Sequence, residues 1–223
     1  LKEKNWDHPW IYGWRGITNA TNERSVIGSI VPRYGAGNSL HLLISQEIKH
    51  ASLWSCFSAC ISSLVFDYCA RTKIGGTNFN FFIPKQLPVL APKMFTAAYV
   101  ELIVPRVLEL LVTSKDMLGY YLEVVKEHPL YDPRSATERG KPWIWNPDHR
   151  AILRSELDAI YARLYGLTRD DLRYILDPSD IMGDDYPSET FRGLKAKEIR
   201  HLGEYRTRRL VLEAWDKLEQ GEL

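Results

Sequence analysis

Between Leu53 and Cys69 apolar residues fall on nearly every side of a helical wheel (LWSCFSACISSLVFDYC). A helix of that kind cannot lie on a surface and has to be wrapped by other elements. The pattern predicts one long buried helix, with the rest of the stretch Ala51 to Pro88 as its exit. That exit is a turn carrying two cations and two glycines (Arg71-Thr72-Lys73-Ile74-Gly75-Gly76), a short aromatic strand, and a proline-punctuated end. Residues without Cβ let a backbone come close to a partner. Four serines and Asp67 interrupt the helix, so its composition favours a core helix over a membrane span.

The 223 residues are enough to bury a sizeable core. With Lys+Arg 29 against Asp+Glu 28, the formal charge of +1 excludes a chain that coats nucleic acid along its whole surface and leaves room for a local basic face. Cys56, Cys60 and Cys69 all fall in the apolar helix without metal-ligand spacing. They read as small buried apolar residues in a reducing, cytoplasmic protein. The charged, aromatic start (LKEKNWDH) is unlike a signal peptide, and a first residue other than Met is what either a piece of a longer protein or a processed chain would show.

In chain order, Trp6 to Arg15 predicts a strand entry, and Gly16 to Val31 two strands around a polar turn at Thr21-Asn22-Glu23-Arg24. The second of these, Ser25 to Val31, has the continuous apolar character of an interior strand. RYGAGN after Pro32 has the Gly-x-Gly of a loop that holds S-adenosylmethionine. It opens no helix, however, and no suitable acid follows a second strand, so it reads as a glycine turn between strands. After Pro92 the spacing is helical: Met94–Leu111 with Pro105 inside, then Lys115–Lys126. Beyond a polar stretch at 128–142, Asn146-Pro147 starts a helix closed by Gly166, and Thr168 with Asp171 forms a capping box. Ser188 would cap a further helix ending near Leu202, and Glu204–Glu219 would be the last. The expected architecture is α+β, with a small mixed sheet on a long buried helix followed by an all-helical part. Its expected parts are residues 1–127, a boundary at 128–142, and residues 143–223.

No constellation for catalysis emerges. There is no G-x-S-x-G elbow, and no cysteine has a basic, exposed setting. His149 and His201 sit on charged helices, and the adjacent pairs Asp170-Asp171 and Asp184-Asp185 do not face one another. Residue types suited to nucleic acid gather in three places. The first is Arg15 with Asn19, Thr21, Asn22 and Arg24; the second is Arg33; the third is Arg71, Lys73, Asn78, Asn80 and Lys85. In Thr77–Phe81 the alternation would set both asparagines on one strand face and both phenylalanines on the other. An ordinary amphipathic strand gives the same pattern.

The combination ATNERSVIGSIVP, then LWSCFSACISSLVFDYCARTKIGGTNFNFFIPKQLPVL, resembles the target recognition domain of adenine-N6 DNA methyltransferases of the single-chain restriction–modification and phage-defence type. The tail, RSELDAIYARLYGLTRDDLRYILDP with GEYRTRRLVLEAWDKL, is similar to the helical segment that closes those proteins. The resemblance implies a module that reads a short double-stranded DNA sequence. In it Arg71, Lys73 and Lys85 would anchor phosphates, while Asn78, Asn80 and the Asn19–Arg24 turn would approach base edges. Arg206, Arg208 and Arg209 would add backbone contacts, and Arg24 is equally suited to pairing with an acidic neighbour. The family's Asn-Pro-Pro-aromatic motif is missing here, where Asn146-Pro147 is followed by Asp148. Methyl transfer and its S-adenosylmethionine would therefore belong to a preceding methyltransferase domain in the same chain. A second reading is a protein-interaction domain whose Trp6, Trp10 and Trp14 dock a neighbour.

Overall fold

The computed structural model describes residues 6–187 and 190–223, so the expected cap at Ser188 lies outside the described residues. The chain folds as α+β, with a three-stranded antiparallel sheet followed by helices. The strands are β1 (Trp10–Arg15), β2 (Gly28–Pro32) and β3 (Leu40–Leu43), in the order β2-β1-β3. Trp10 pairs with Pro32 and Trp14 with Gly28, while Arg15 pairs with Leu40. The interior strand is thus β1, and the apolar run expected to be interior forms β2 at an edge. The first strand expected within Gly16–Val31 does not form either, because residues 16–27 are a loop. The glycine stretch after Pro32 connects two strands, as expected.

The apolar helix breaks in two. Helix α1 (Ala51–Ser62) and helix α2 (Leu64–Arg71) meet at an angle of 51°. Ser63 is extended, and its hydroxyl donates to the Cys60 carbonyl while accepting the Phe66 N–H. That is an N-cap inside what looked like one helix, since serine offers the backbone an alternative to the helical ladder. The buried carboxylate of Asp158 finishes the break by accepting the Leu64 N–H at 2.6 Å. The other end of α1 is capped from afar, with Glu127 accepting the N–H groups of Ala51 and Ser52. Among the described residues no single helix is long and apolar enough to cross a membrane.

Helices α3 (Ala97–Leu111) and α4 (Leu118–Glu127) complete the first half. The segment 128–142 is pinned to α4 by Asp132, which accepts from the Tyr121 hydroxyl and pairs with Arg134 at 2.8 Å. Helix α5 (Pro147–Leu164) starts at the expected Asn146 cap, and Gly166 closes it with a positive φ of 73°. Helix α6 (Arg169–Leu176) has the Thr168–Asp171 capping box in full. The short α7 (Ser179–Met182), α8 (Arg192–Leu202) and α9 (Arg206–Gln220) finish the chain.

Two apolar cores result. The first joins the sheet with α1, α3, α4 and one side of α5 through Leu157, Ile160, Tyr161 and Leu164. The second joins α2, α6, α8, α9 and the other side of α5 through Ala159 and Ala162. Helix α5 is therefore the partition between them. Trp6, Trp10 and Trp14 are all in the first core, so they are not free to dock a neighbour. Trp10 and Tyr12 pack against Trp54 of α1, with ring centroids 5.8 and 6.2 Å away. The buried Tyr12 hydroxyl ends where a Cβ on Gly28 would sit. Gly28→Ala is accordingly expected to cost about 1–3 kcal/mol, seen as a lower midpoint in urea unfolding. An unchanged midpoint would show that β2 shifts freely against β1.

Candidate nucleic-acid interface

The Thr21–Arg24 turn and the end of α2 do come together, and what joins them is a buried ion pair. Asp67, 1% exposed, accepts the backbone N–H groups of Ser25 at 2.8 Å and Val26 at 2.7 Å. One helical turn on, Arg71 donates its Nε to Asp67 at 2.9 Å. The rest of its guanidinium is spent on carbonyls: Ala20, Asn22 and Glu23 in the loop, and Thr190 just before α8. Its plane lies 4.6 Å from the Phe191 ring centroid. With a side chain only 7% exposed, Arg71 has no free face for a phosphate. The expectation that it anchors DNA is corrected: it clamps the 16–27 loop between α2 and α8.

The same loop accounts for three more expected contacts. Arg24 pairs with Asp158 at 3.0 Å and donates to the Ser62 carbonyl, which is the structural alternative for this residue. Burial disfavours the charge on Arg24, but the Asp158 carboxylate, with Asp67 behind it, holds its pKa up. Asn19 closes a local turn by accepting from the Thr21 N–H and hydroxyl. Asn22, half-buried, presents its carbonyl to Arg71. Arg33 directly follows the far end of β2, opposite Pro9, whose carbonyl accepts its N–H, and its side chain donates to the Trp6 carbonyl. At about 3.3 Å per residue it is about 20 Å along the strands from Arg15, and it does not join the others. Arg206, Arg208 and Arg209 each meet carboxylates, those of Asp148, Asp180 and Glu204 respectively.

A second cluster stays open to solvent. The expected strand Thr77–Phe81 is not one. Residues 77–79 run antiparallel beside 16–18, with Thr18 N–H donating to the Thr77 carbonyl and Phe79 N–H to the Gly16 carbonyl, and an isolated bridge pairs Ile17 with Asn78. The Trp14 indole N–H also reaches the Phe79 carbonyl at 3.0 Å. Continuing that register sets Arg15 opposite Asn80, so the exposed Arg15, Ile17, Asn78 and Asn80 share one side by the alternation of extended chain. The chain then turns: the Asn80 side chain accepts from the Phe82 N–H, and a short 3-10 helix, Pro84–Gln86, carries Lys85. The phenylalanines do not share a fate. Phe79 is buried, Phe81 leans on Trp14 and His41 with centroids 5.0 and 4.9 Å away, and Phe82 is 76% exposed.

Lys73 and Lys85 are exposed at the two ends of this segment, and neither they nor Arg15 has an ion-pair partner among the described residues. The exposed Phe82 had no signal in the sequence, because its alternation would have placed it with the asparagines only if the strand had continued. Gly75 and Gly76 have no heavy atom within 4 Å of an added Cβ, so open space surrounds that turn. Chemically, the arrangement offers amide groups for base edges, three unpaired cations and one flat apolar ring. The described residues hold no group of three His, Cys, Asp or Glu able to bind a metal. Of the two aspartate pairs, Asp170-Asp171 serves the helix, Asp170 meeting Arg173 and Asp171 capping α6. No family model matches the chain, and neither any curated protein nor any solved structure does.

Proposed function

We propose that this chain is a double-stranded DNA recognition module, with methyl transfer carried out by a preceding adenine-N6 methyltransferase part that binds S-adenosylmethionine. The observation that supports it is the pairing of residues 16–18 with 77–79. That pairing gathers Arg15, Asn78 and Asn80 on one exposed side, flanked by the unpaired Lys73 and Lys85. Lys73 and Lys85 fit phosphates, the asparagines fit adenine edges, and Arg15 fits either a guanine or a phosphate.

Duplex titrations at several salt concentrations test this. Lys73→Ala is expected to weaken binding about equally on all sequences and to reduce the salt slope by about 1. Asn80→Ala is expected to cost about 1–3 kcal/mol on the preferred sequence and little on others. If neither variant weakens binding, this face does not meet DNA.

A further inference from the structure

A cleft lined by the Arg24–Asp158 pair holds more positive charge than it can satisfy. Its walls are β2, α1, α3 and α5, and it encloses about 600 Å³, within the range of small-molecule sites. Val107, Leu110, Leu111 and Leu157 supply an apolar wall. Arg24, Arg150 and Arg154 line it with two carboxylates, Glu23 and Asp158. Both carboxylates are committed, Glu23 to Lys197 at 2.8 Å and Asp158 to Arg24.

Arg150 and Arg154 make no ion pair among the described residues, the carboxylates of Glu109 and Asp158 attracting them only from beyond contact distance. Arg150 donates to the Leu110 carbonyl at 2.7 Å and stacks on Trp145 at 3.7 Å, while its buried Nε meets no acceptor. Arg154 makes no hydrogen bond or ion pair at all among the described residues. The two stand one helical turn apart on α5, where like charges repel and destabilise the helix. Lost hydration among the cleft walls, and then the Arg24 charge, hold the pKa of Arg154 below its usual value. The same lost hydration, and then Arg154, do so for Arg150. Such an arrangement is poor for stability alone and is relieved by an anion.

We propose that this cleft binds a small phosphomonoester of nucleotide size, its phosphate between Arg150 and Arg154 and its body against the Leu110–Leu157 wall. Two guanidiniums without an ion pair match the two charges of a phosphomonoester, and each planar fork suits paired phosphate oxygens. A phosphodiester of a nucleic acid strand carries one charge and is the poorer match.

Titration calorimetry of the whole chain with adenosine monophosphate, adenosine and a duplex oligonucleotide tests it. The monophosphate is expected to bind saturably and adenosine at least about tenfold more weakly. Arg154→Ala, a change at an exposed and unbonded side chain, is expected to weaken the monophosphate by about tenfold or more while leaving duplex affinity unchanged. Lys73→Ala, on the DNA face, should leave the monophosphate unaffected, which separates this site from that one. No saturable binding of the monophosphate up to about 1 mM, or equal binding by Arg154→Ala, overturns the proposal. So does a loss confined to the duplex, which would assign the arginines to strand phosphates instead.

Discussion

Asp67→Ala is expected to destabilise the protein by about 3–5 kcal/mol, read as a lower midpoint in urea unfolding. Three groups lose their acceptor at once. The N–H groups of Ser25 and Val26 are left buried without a partner, each costing about 1–3 kcal/mol. Arg71 keeps its four backbone carbonyls but loses the one negative charge beside it, in a setting where its side chain is nearly sealed from water. Asp67→Asn preserves the shape and one acceptor oxygen, so its loss should be smaller, with the difference reporting the charge. A loss under about 1 kcal/mol for the alanine variant would mean that the loop holds itself without this pair. Because the loop carries Ile17 and continues directly from Arg15 at the proposed DNA face, the alanine variant should, on that proposal, also lose duplex affinity with no change in the salt slope.

Trp10→Ala is expected to cost about 3–5 kcal/mol through the cavity it leaves. The indole is 1% exposed and meets Trp6, Trp54 and Tyr120 edge to face at 5.3, 5.8 and 5.3 Å. Its N–H also donates to Glu123 at 2.8 Å, an oxygen that His8 shares at 2.6 Å. Trp10→Phe keeps part of the ring packing and drops that hydrogen bond, so it should fall between wild type and alanine. Equal losses for both would place the energy in the Glu123 bond and not in the packing. Thermal unfolding of the two variants side by side decides it.

The helical half was legible because its signals are local. Asn146 with Pro147, Thr168 with Asp171, and Gly166 each act on atoms within one turn of themselves. The sheet was less so. Sequence pattern places strands but not their neighbours, and the apolar flavour of Ser25–Val31 comes from α1 covering an edge strand, not from an interior position. The break at Ser63 was hidden because half its cause is Asp158, distant in sequence.

In the site, the side-chain types at 71–85 were visible and their fates were not. Arg71 and Lys73 are two residues apart and look alike on paper. The first points into five acceptors and the second into solvent. Motifs carrying the methyltransferase resemblance, Thr-Asn-Glu-Arg and Phe-Asp-Tyr with its arginine, turn out to meet through Asp67 and Arg71. They are thus legible as architecture more than as contacts. The pairing of 16–18 with 77–79 escaped because it spans residues that propensity assigns to two separate strands.

The clamp at Arg71 also sets an order of events. Its acceptors include Thr190, 119 positions along the chain, and the Ser63 break waits for Asp158, 94 positions after Leu64. During synthesis at about 5–20 residues per second, the segment holding Arg15, Asn78 and Asn80 emerges many seconds before either partner exists. Until α5 and the start of α8 arrive, the loop lacks two of its ties and α2 lacks its angle. The polar face is therefore made before the residues that complete the support of its neighbouring loop.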